Sequence, residues 1–255
     1  MVPDKISQNI RRLILEISYH NKAHHVGSCL SCVELLQLLF ESYDLNPGKD
    51  KVVLSKGHAA LAYYSALCQF GYINEADLKA NYLGNNSNFP GHVSSNHLSF
   101  VPWSSGALGH GLSVAMGLAL RDPDHKVAVI CSDGELQTGQ FWEAVSHLSK
   151  FELPNLKVLI DLNSFQATCA SSELMDIEKT ADKFIAFGLT SSFVNGHHLG
   201  ELRSCDSQIV IAKTIKGKGA RSMENTLLSH YKNVVKKDLE AYPTDNQEDY
   251  EKKIL

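Results

Sequence analysis

Hydrophobic residues recur at helical spacing in the first third of the chain. The spacing predicts an amphipathic helix over residues 4–20 that packs one face on the body of the protein. Residues 33–40 are more evenly apolar and predict a second, more deeply buried helix, and residues 59–70 predict a third. The apolar positions of the first helix are Ile6, Ile10, Leu13, Ile14 and Ile17.

Short apolar runs in the second half of the chain are typical of buried strands. We expect strands at residues 127–131, 158–160 and 209–212, and a shorter strand at 191–194. A helical pattern at residues 176–187 lies between them. Strands that alternate with helices predict an α/β fold, with a doubly wound, mostly parallel sheet and helices on both faces.

Residues 81–105 are rich in Gly, Asn, Ser and Pro, which predicts a long irregular loop. Loops of this length in a compact domain tend to be functional. Residues 106–120 contain small side chains throughout and predict a helix that approaches other backbone closely. We expect this helix to be central or to lie at a subunit interface.

Composition and charge narrow the class of protein. The formal net charge is −4 and no basic block stands out, so nothing points to nucleic acid or an anionic membrane. We expect residues 232–237, which carry several lysines, to be a solvated helix face. No apolar run reaches the roughly twenty residues of a membrane span, and residues 1–5 do not begin a signal peptide. A cytoplasmic location is expected, with residues 1–255 forming one large domain.

The six cysteines lie in apolar or small-residue surroundings, which suits a reducing compartment better than a disulfide framework. Cys29 and Cys32 form an isolated CxxC motif, which could be a redox pair or half of a zinc site. No second CxxC or His-Cys pair completes a tetrahedral set, so we expect neither function. Ser31 and Glu34 have the spacing of a capping box that opens the helix holding Cys32.

Two of the predicted strands end in polar side chains. The run 127–131 leads into Asp133, and the run 158–160 leads into Asn163. The carboxyl ends of parallel strands meet at one edge of a sheet, where ligands bind, so we expect these side chains together. Carboxylate and amide oxygens suit Mg²⁺ or Ca²⁺, and Mg²⁺ usually adds phosphate oxygens and water. Taken alone, Asp133 is better explained as a helix N-cap and Asn163 as a turn residue, but the two together at this separation predict a metal-assisted diphosphate site.

Asp133-Gly134 followed by Asn163 resembles the thiamine diphosphate motif, in which Gly-Asp-Gly precedes a distant Asn. Further motifs, in the same order along nearly the whole chain, narrow the resemblance to the transketolase family and to its N-terminal, diphosphate-binding half. These motifs are residues 55–58 (SKGH), 90–92 (PGH), 106–111 (GALGHG), 133–137 (DGELQ), and 213–219 (KTIKGKG) with 223–225 (MEN).

The resemblance implies a site for thiamine diphosphate and Mg²⁺ or Ca²⁺. The Asp133 carboxylate, the Asn163 side-chain oxygen and the backbone carbonyl of Phe165 would bind the metal, with diphosphate oxygens and water completing an octahedron. Gly134 would let backbone amide approach the phosphate closely. The other cofactor-binding positions that the motifs imply are Glu135 and, along the thiazolium and aminopyrimidine rings, Gly106 and Leu108.

Four histidines lie in or beside these motifs, and imidazole exchanges protons near neutral pH. The resemblance implies that His58 and His230 contact the diphosphate and that His25 and His92 face substrate hydroxyl and carbonyl oxygens. His25, His92 and His230 are therefore the candidate catalytic residues. We expect His110 and His147 to be structural. His197 and His198 form a pair in a loop and have no assigned use.

The chain departs from the transketolase pattern at four places. Ser132 replaces the first Gly of the motif, which is tolerable if that backbone position avoids positive φ. Val26 replaces a Pro, and His92 is followed by Val93 and Ser94 rather than Pro and Glu. The change after His92 lies in a loop expected to face substrate, so a non-standard acceptor fits. Thr138 replaces a Glu of a network thought to link the two active sites of a dimer, which puts that coupling in doubt.

In this family the carboxylate that activates the cofactor lies on a second, pyrimidine-binding half, usually in the opposite subunit. We expect no such half here, because too few residues follow Lys218 for another α/β domain. The resemblance implies a split transketolase whose separate partner chain carries the pyrimidine-binding domain, in an α₂β₂ heterotetramer. The complex would transfer a two-carbon ketol unit from a ketose donor to an aldose acceptor, while protein groups orient substrates and move protons.

Two other functions remain open from the sequence. The segments 24–30 and 33–35 also resemble deoxyxylulose phosphate synthase, so a related transfer onto a specialised sugar is one alternative. The other alternative is a non-catalytic partner that only holds the cofactor. The motifs at 90–92 and 206–219 favour transketolase over a deoxyxylulose phosphate synthase-like enzyme. The presence of the four histidines, Asp133 and Asn163 argues against a non-catalytic protein.

Overall fold

A five-stranded parallel sheet forms the centre of the protein. The computed structural model describes residues 4–241, and within them the strands are β1 (Lys51–Leu54), β2 (Val127–Ser132), β3 (Leu156–Leu162), β4 (Ser191–Asn195) and β5 (Ile209–Lys213). The strands lie in the order β1-β2-β3-β5-β4, and each neighbouring pair is parallel. The predicted parallel α/β sheet is confirmed.

Helices cover both faces of this sheet. Those described are α1 (Lys5–Asn21), α2 (Val26–Ser31), α3 (Val33–Ser42), α4 (Ala60–Gln69), α5 (Glu75–Asn81), α6 (Gly111–Arg121), α7 (Gly139–Leu148), α8 (Thr180–Ala186), α9 (Leu199–Ser204) and α10 (Lys236–Ala241). None of the helices in this part of the chain is long and apolar enough to cross a membrane.

Successive residues of the buried strand β2 point into two different hydrophobic layers. Val127, Val129 and Cys131 pack with α6 and α7, whereas Ala128 and Ile130 pack with α1 to α4. This alternation follows from the two-residue period of a strand. A strand that is buried on both sides explains why β2 reads as a continuous apolar run.

Helix α1 shows how the sequence pattern becomes structure. The Asp4 carboxylate accepts a hydrogen bond from the Ile6 amide at 2.8 Å and so caps the first turn. Its apolar stripe, with Ile10 and Ile14 fully buried, packs against α3 and α4. Burying each such side chain contributes about 1.5–3 kcal/mol, so the helix is held mainly by this face. The predicted helix over residues 4–20 is confirmed.

Some predicted boundaries are wrong. The helix expected at residues 176–187 begins only at Thr180, and the helix expected from residue 106 begins at Gly111. The predicted capping box at Ser31 is also wrong, because the Ser31 hydroxyl donates to Asp161 at 2.6 Å and Glu34 pairs with Arg11. Strand β1 and helices α2, α5 and α9 were not expected from the sequence pattern, whereas residues 82–105 are irregular as predicted.

The lysine-rich segment is only partly the helix face that was predicted. Lys236 and Lys237 are exposed on α10, but Lys232 precedes the helix and donates to the carbonyl of Ser222 at 3.0 Å.

Candidate active site

The carboxyl edge of the sheet brings the predicted acid and amide to adjacent strand ends. Ser132 is in register with Asp161, and Asp161 is in register with Ala212. Asp133, Asn163 and Thr214 therefore leave the sheet side by side, as the sequence predicted for the first two. Ser132 has φ −108°, so its backbone position does not require the Gly that it replaces.

The Asp133 carboxylate is almost fully buried. One oxygen accepts a hydrogen bond from the Ser171 hydroxyl at 2.6 Å, and the other accepts from the Gly134 amide at 2.9 Å. Burial raises the pKa of Asp133 to about 6, since the charged form loses water. A nearby cation would stabilise the ionised form of such a buried carboxylate.

Asn163 begins a tight turn. Its side-chain oxygen accepts a hydrogen bond from the Phe165 amide at 3.2 Å, and its side-chain nitrogen donates to Asp161 at 3.3 Å. Ser164 adopts φ +69°, a left-handed conformation that residues with a side chain rarely take and that marks a constrained turn. The turn places the Asn163 oxygen and the Phe165 carbonyl in the same short segment.

Lys216 is the main residue of the site that sequence analysis missed. Its ammonium donates to the carbonyls of Phe165 and Gln166 at 3.0 and 3.1 Å and lies 3.3 Å from Nδ1 of His230. Burial lowers the pKa of Lys216 to about 8. Lys216 follows β5 by three residues, at the sheet edge that holds Asp133 and Asn163, and this position in the sequence could have indicated that it belongs to the site.

The structure brings the four predicted histidines together. The ring centroid of His25 lies 4.7 Å from His230, 5.4 Å from His58 and 6.5 Å from His92. His25 adopts φ +61° and its amide donates to the His230 carbonyl at 3.0 Å. Its Nδ1 has no hydrogen-bond partner among the described residues, although the atom is buried. A buried ring nitrogen without a partner is suited to a ligand.

These imidazoles are kept neutral. Burial lowers the pKa of His25 and of His230 to about 4, and it lowers the pKa of His92 as well. The pKa of His58 lies well below its usual value because of burial and then the nearby Lys56 charge. Neutral rings can both donate and accept hydrogen bonds, which groups that shuttle protons require.

Two glycines allow the histidine segments to approach each other. A Cβ at Gly57 would lie 2.8 Å from the Ser105 Cβ and 3.1 Å from the His92 ring. A Cβ at Gly27 would lie 2.5 Å from the Ser229 hydroxyl, beside His230. Both positions require the smallest residue because neighbouring chain occupies the space.

Glu135 is fully buried, and its four hydrogen bonds all go to the protein. It accepts from the Ser55 hydroxyl, from the Gly109 amide at 2.9 Å, and from the amide and hydroxyl of Ser132 at 2.8 and 3.2 Å. Burial raises the pKa of Glu135. The carboxylate thereby ties the end of β2 to the segment that contains Gly106 and Leu108.

Leu108 itself is 41% exposed in the segment before α6. The neighbouring Gly109 adopts φ +82°, and a Cβ there would lie 3.0 Å from the Thr138 Cβ. Thr138, where the family pattern has Glu, caps α7 by accepting from the Phe141 amide at 3.3 Å. In this chain the position therefore serves helix capping.

His197 has a structural position that the sequence did not reveal. Its Nδ1 lies 2.9 Å from the Glu34 carboxylate, and its Nε2 accepts from the Ile215 amide at 2.8 Å. Glu34 also pairs with Arg11 at 2.5 Å, and Arg11 donates to the Lys218 carbonyl at 3.1 Å. Burial alone would raise the pKa of Glu34, but Arg11 and His197 hold it well below its usual range. This network fixes the segment that carries Lys216.

His110, His147 and His198 lie outside the ring cluster, whereas in the CxxC motif the Cys29 thiol lies 4.0 Å from the His58 carbonyl. His110 and His147 are exposed and bond nearby carbonyls, and His198 caps α9. Cys29 and Cys32 are free, buried thiols, and burial raises their pKa to about 11 and about 12. Thiols held in the protonated form are poor nucleophiles and poor metal ligands.

Comparison with known proteins shows the family to which the chain belongs. Residues 2–243 match the family described as transketolase, thiamine diphosphate binding domain. The chain belongs to the transketolase family. It is 33% identical over 249 residues to one subunit of the apulose-4-phosphate transketolase of Actinobacillus succinogenes, a match that covers 90% of each chain. One subunit of the 6-deoxy-6-sulfo-D-fructose transketolase of a Clostridium species is also 33% identical, with 87% of each chain covered.

Single-chain transketolases share the same fold over part of their length. The transketolase of Campylobacter jejuni superimposes with a TM-score of 0.81 and 26% identity, over 93% of this chain and 42% of that one. The chain thus spans less than half of a single-chain transketolase but most of the two subunits above. The predictions of the family, of its thiamine diphosphate-binding fold and of the N-terminal subunit of a split transketolase are confirmed.

The site residues fit the cofactor and metal that the family implies. Asp133, Asn163 and the Phe165 carbonyl offer hard oxygen atoms, which Mg²⁺ prefers. No three His, Cys, Asp or Glu side chains are grouped as metal ligands within residues 4–241. The positive charge of Lys216, beside the Phe165 carbonyl, suits the negatively charged diphosphate. The Nδ1 atom of His25 has no hydrogen-bond partner among the described residues and could contact a ligand.

Proposed function

We propose that this chain is the diphosphate- and Mg²⁺-binding subunit of a transketolase whose active site is completed by a separate chain. The observation that carries the proposal is the meeting of Asp133, Asn163 and Lys216 with the neutral cluster of His25 and His230 at one edge of the sheet. Relatives named as transketolase subunits support the two-chain arrangement. The complex would be a cytoplasmic α₂β₂ heterotetramer in which residues 1–255 form a single domain.

The strand ends would hold the diphosphate. Asp133, the Asn163 oxygen and the Phe165 carbonyl would bind Mg²⁺, and Ca²⁺ could replace it. The Lys216 ammonium would contact phosphate oxygens, and Gly134, which has no side chain, would let the backbone approach the phosphate closely. Glu135 would act indirectly, since its carboxylate holds the segment that places Gly106 and Leu108 beside the cofactor rings.

The histidines would serve the substrate and the diphosphate. His58 and His230 would donate hydrogen bonds to phosphate oxygens, and His230 would also exchange a proton with the substrate. His25 and His92 would orient the substrate's hydroxyl and carbonyl groups and move protons during cleavage and transfer. Thiamine diphosphate, when bound, supplies the carbon–carbon chemistry, so these residues only bind, orient and shuttle protons.

The substrate would be a ketose donor of a two-carbon unit and an aldose acceptor. The two subunit relatives are named for apulose-4-phosphate and for 6-deoxy-6-sulfo-D-fructose, sugars that each carry an anionic group. An anionic ketose is therefore the first donor to test. The names of both relatives favour transketolase over the deoxyxylulose phosphate synthase alternative.

Calorimetry on the co-expressed subunits tests the proposal. Thiamine diphosphate is titrated into this chain, into its partner chain and into the complex, with and without Mg²⁺. We expect tight, Mg²⁺-dependent binding only in the complex, and its loss in Asp133→Ala. Asp124→Ala, an exposed carboxylate at the opposite end of β2, is the matched control and should change nothing.

Tight binding by this chain alone, without any effect of the partner, would contradict a shared site and favour a cofactor-holding protein. Binding that is equally tight in Asp133→Ala would place the metal elsewhere.

A further inference from the structure

A fully buried ion pair lies beside the side-chain amide of Asn163, the proposed metal ligand. Lys56 and Asp161 are both 0% exposed, and their side chains form a salt bridge. The Lys56 ammonium also donates to the Ser28 carbonyl at 2.9 Å. This pair joins the segment after β1 to the end of β3, only two residues before Asn163.

The Asp161 carboxylate collects donors from three other segments. The Thr214 hydroxyl donates to Oδ1, whereas the Ser31 hydroxyl donates to Oδ2 at 2.6 Å. Oδ2 also accepts from Lys56 and from the side-chain nitrogen of Asn163 at 3.3 Å. With donors on both oxygens, the carboxylate has one fixed orientation.

A buried ion pair is a poor explanation of stability. Removing two charges from water offsets most of their attraction, and apolar residues of similar volume often replace such a pair without loss. The role of the Lys56–Asp161 pair must therefore be sought in the side chains that it contacts. Apart from structural donors, Asp161 touches one side chain that faces the metal site, that of Asn163.

An amide side chain has two ends of similar shape and opposite chemistry. Its oxygen can bind a cation, whereas its NH₂ group only donates hydrogen bonds. An ionised carboxylate only accepts, so Asp161 must face the nitrogen of Asn163. The Phe165 amide, which only donates, faces the oxygen at 3.2 Å. These two contacts together exclude the flipped amide.

We propose that Asp161, held by Lys56, is a positioning residue that fixes the Asn163 amide with its oxygen toward the metal. The inference rests on the proposed function, because it assumes that the cation binds at Asn163 and Asp133. Outer residues that orient metal ligands commonly change metal affinity by about 10–100-fold when they are removed.

The test replaces the pair without leaving a buried charge. In Lys56→Met/Asp161→Val the side chains keep similar volumes, and the Asn163 nitrogen loses its carboxylate acceptor and keeps the Ser31 hydroxyl at 3.5 Å, which can donate as well as accept and so does not select one amide orientation. Mn²⁺ affinity of the subunit complex is measured by electron paramagnetic resonance with saturating thiamine diphosphate, and folding is followed by circular dichroism. We expect a loss of Mn²⁺ affinity of about 10–100-fold in a folded protein. Ser7→Ala/Gln37→Leu removes a buried polar contact between α1 and α3 and is the matched control, with unchanged affinity expected.

A rescue separates positioning from general damage. Asn163→Asp provides oxygen at both ends of the side chain, so it needs no orientation. In the Lys56→Met/Asp161→Val background it should restore Mn²⁺ affinity, whereas in the native background it places a second carboxylate against Asp161 and should weaken binding. A structural role alone would not reverse the sign of one substitution between two backgrounds.

Several results would overturn the inference. Mn²⁺ affinity within twofold of native in the double variant would do so, as would the same effect of Asn163→Asp in both backgrounds. If Asp133→Ala leaves Mn²⁺ affinity unchanged, the proposed metal site itself is wrong. If Asp133→Ala abolishes binding while the double variant binds normally, only the positioning role fails. Should the double variant not fold, Lys56→Gln/Asp161→Leu retains the approximate shapes, provides no acceptor at residue 161 and carries the same rescue test.

Discussion

The two sides of the site are built differently. At the strand ends, the protein's own donors occupy the oxygens of Asp133, Asp161 and Glu135. On the opposite side, His25 and His230 pack as neutral rings, and Nδ1 of His25 has no partner within residues 4–241. Hydrogen bonds within the protein thus preorganise the strand ends, where the metal and the diphosphate would bind, whereas the substrate would complete the hydrogen bonding on the histidine side. We expect substitutions at the strand ends to reduce stability and those among the histidines to reduce activity.

The largest effect should follow from His25→Asn. Asn tolerates the left-handed backbone of residue 25 but cannot exchange a proton, so we expect transketolase activity of the complex to fall by about 10²–10⁴-fold. The free energy of unfolding, measured by urea titration, should change by less than about 1 kcal/mol, because the ring makes few hydrogen bonds. The control is His147→Asn on the exposed side of α7. If His25→Asn lowers the stability but not the activity, the expectation that the histidines serve activity rather than stability is wrong.

Glu135→Ala should show the opposite behaviour. The variant leaves the Gly109 and Ser132 amides without their acceptor, and we expect unfolding to become easier by about 2–4 kcal/mol. Urea denaturation of the isolated chain measures this directly. Glu143→Ala, an exposed acid on α7, provides the comparison and should be close to neutral. A Glu135 variant with native stability and no activity would instead argue that this carboxylate acts on a ligand.

Gly57→Ala tests how closely the histidine segments must approach. The added methyl group would meet the Ser105 Cβ at 2.8 Å, and we expect a destabilisation of about 1–3 kcal/mol. Ser105→Gly removes the obstructing atoms, and the Ser105 hydroxyl has no hydrogen-bond partner in the described residues. The double variant should therefore recover most of the loss in a thermal unfolding experiment. Independent, additive effects would show that the two residues do not touch.

The smallest effect concerns pH. The folded-state pKa of about 4 for His25 and His230 lies below the value of about 6.5 in an unfolded chain. Between these values the unfolded state binds more protons, so these groups make stability fall as pH falls from 6.5 toward 4. Asp133, with its pKa raised to about 6, acts in the opposite direction over pH 4 to 6.

Urea titrations at pH 7 and pH 5 check the sign. Replacement of both histidines by Asn should reduce the dependence on pH, whereas Asp133→Asn should increase it. The same change in all variants would show that other groups dominate the titration.

The sequence predicts the parts of this molecule that depend on local pattern. Long apolar runs located β2, β3 and β5, and the polar residues after them located Asp133 and Asn163. The four-residue strand β1 was missed because so short a run has no clear period. Ser31 was misassigned to a helix cap because its true partner, Asp161, lies 130 residues away.

Some residues of the candidate site were likewise predicted from the sequence, and others were not. The resemblance to transketolases predicted that four histidines meet, and the structure brings them together. Lys216 was not assigned to the site from the sequence, because a lysine in a Gly-rich segment is usually solvated, and the contacts with Phe165 and Gln166 that bury it are distant in the chain. Neither could the pairing of Lys56 with Asp161 be inferred, since 105 residues separate them.

The contacts around Lys216 also bear on when the site can form during synthesis. Arg11 reaches the carbonyl of Lys218, 207 residues later, and Glu34 acts through His197 on the amide of Ile215. A chain that emerges from the ribosome with its first helix folded still lacks the segment that this helix anchors. Contacts over such separations form late, because a long loop must close first. This chain's half of the site should therefore form only once residues beyond 218 have left the exit tunnel, and only then could the partner chain complete it.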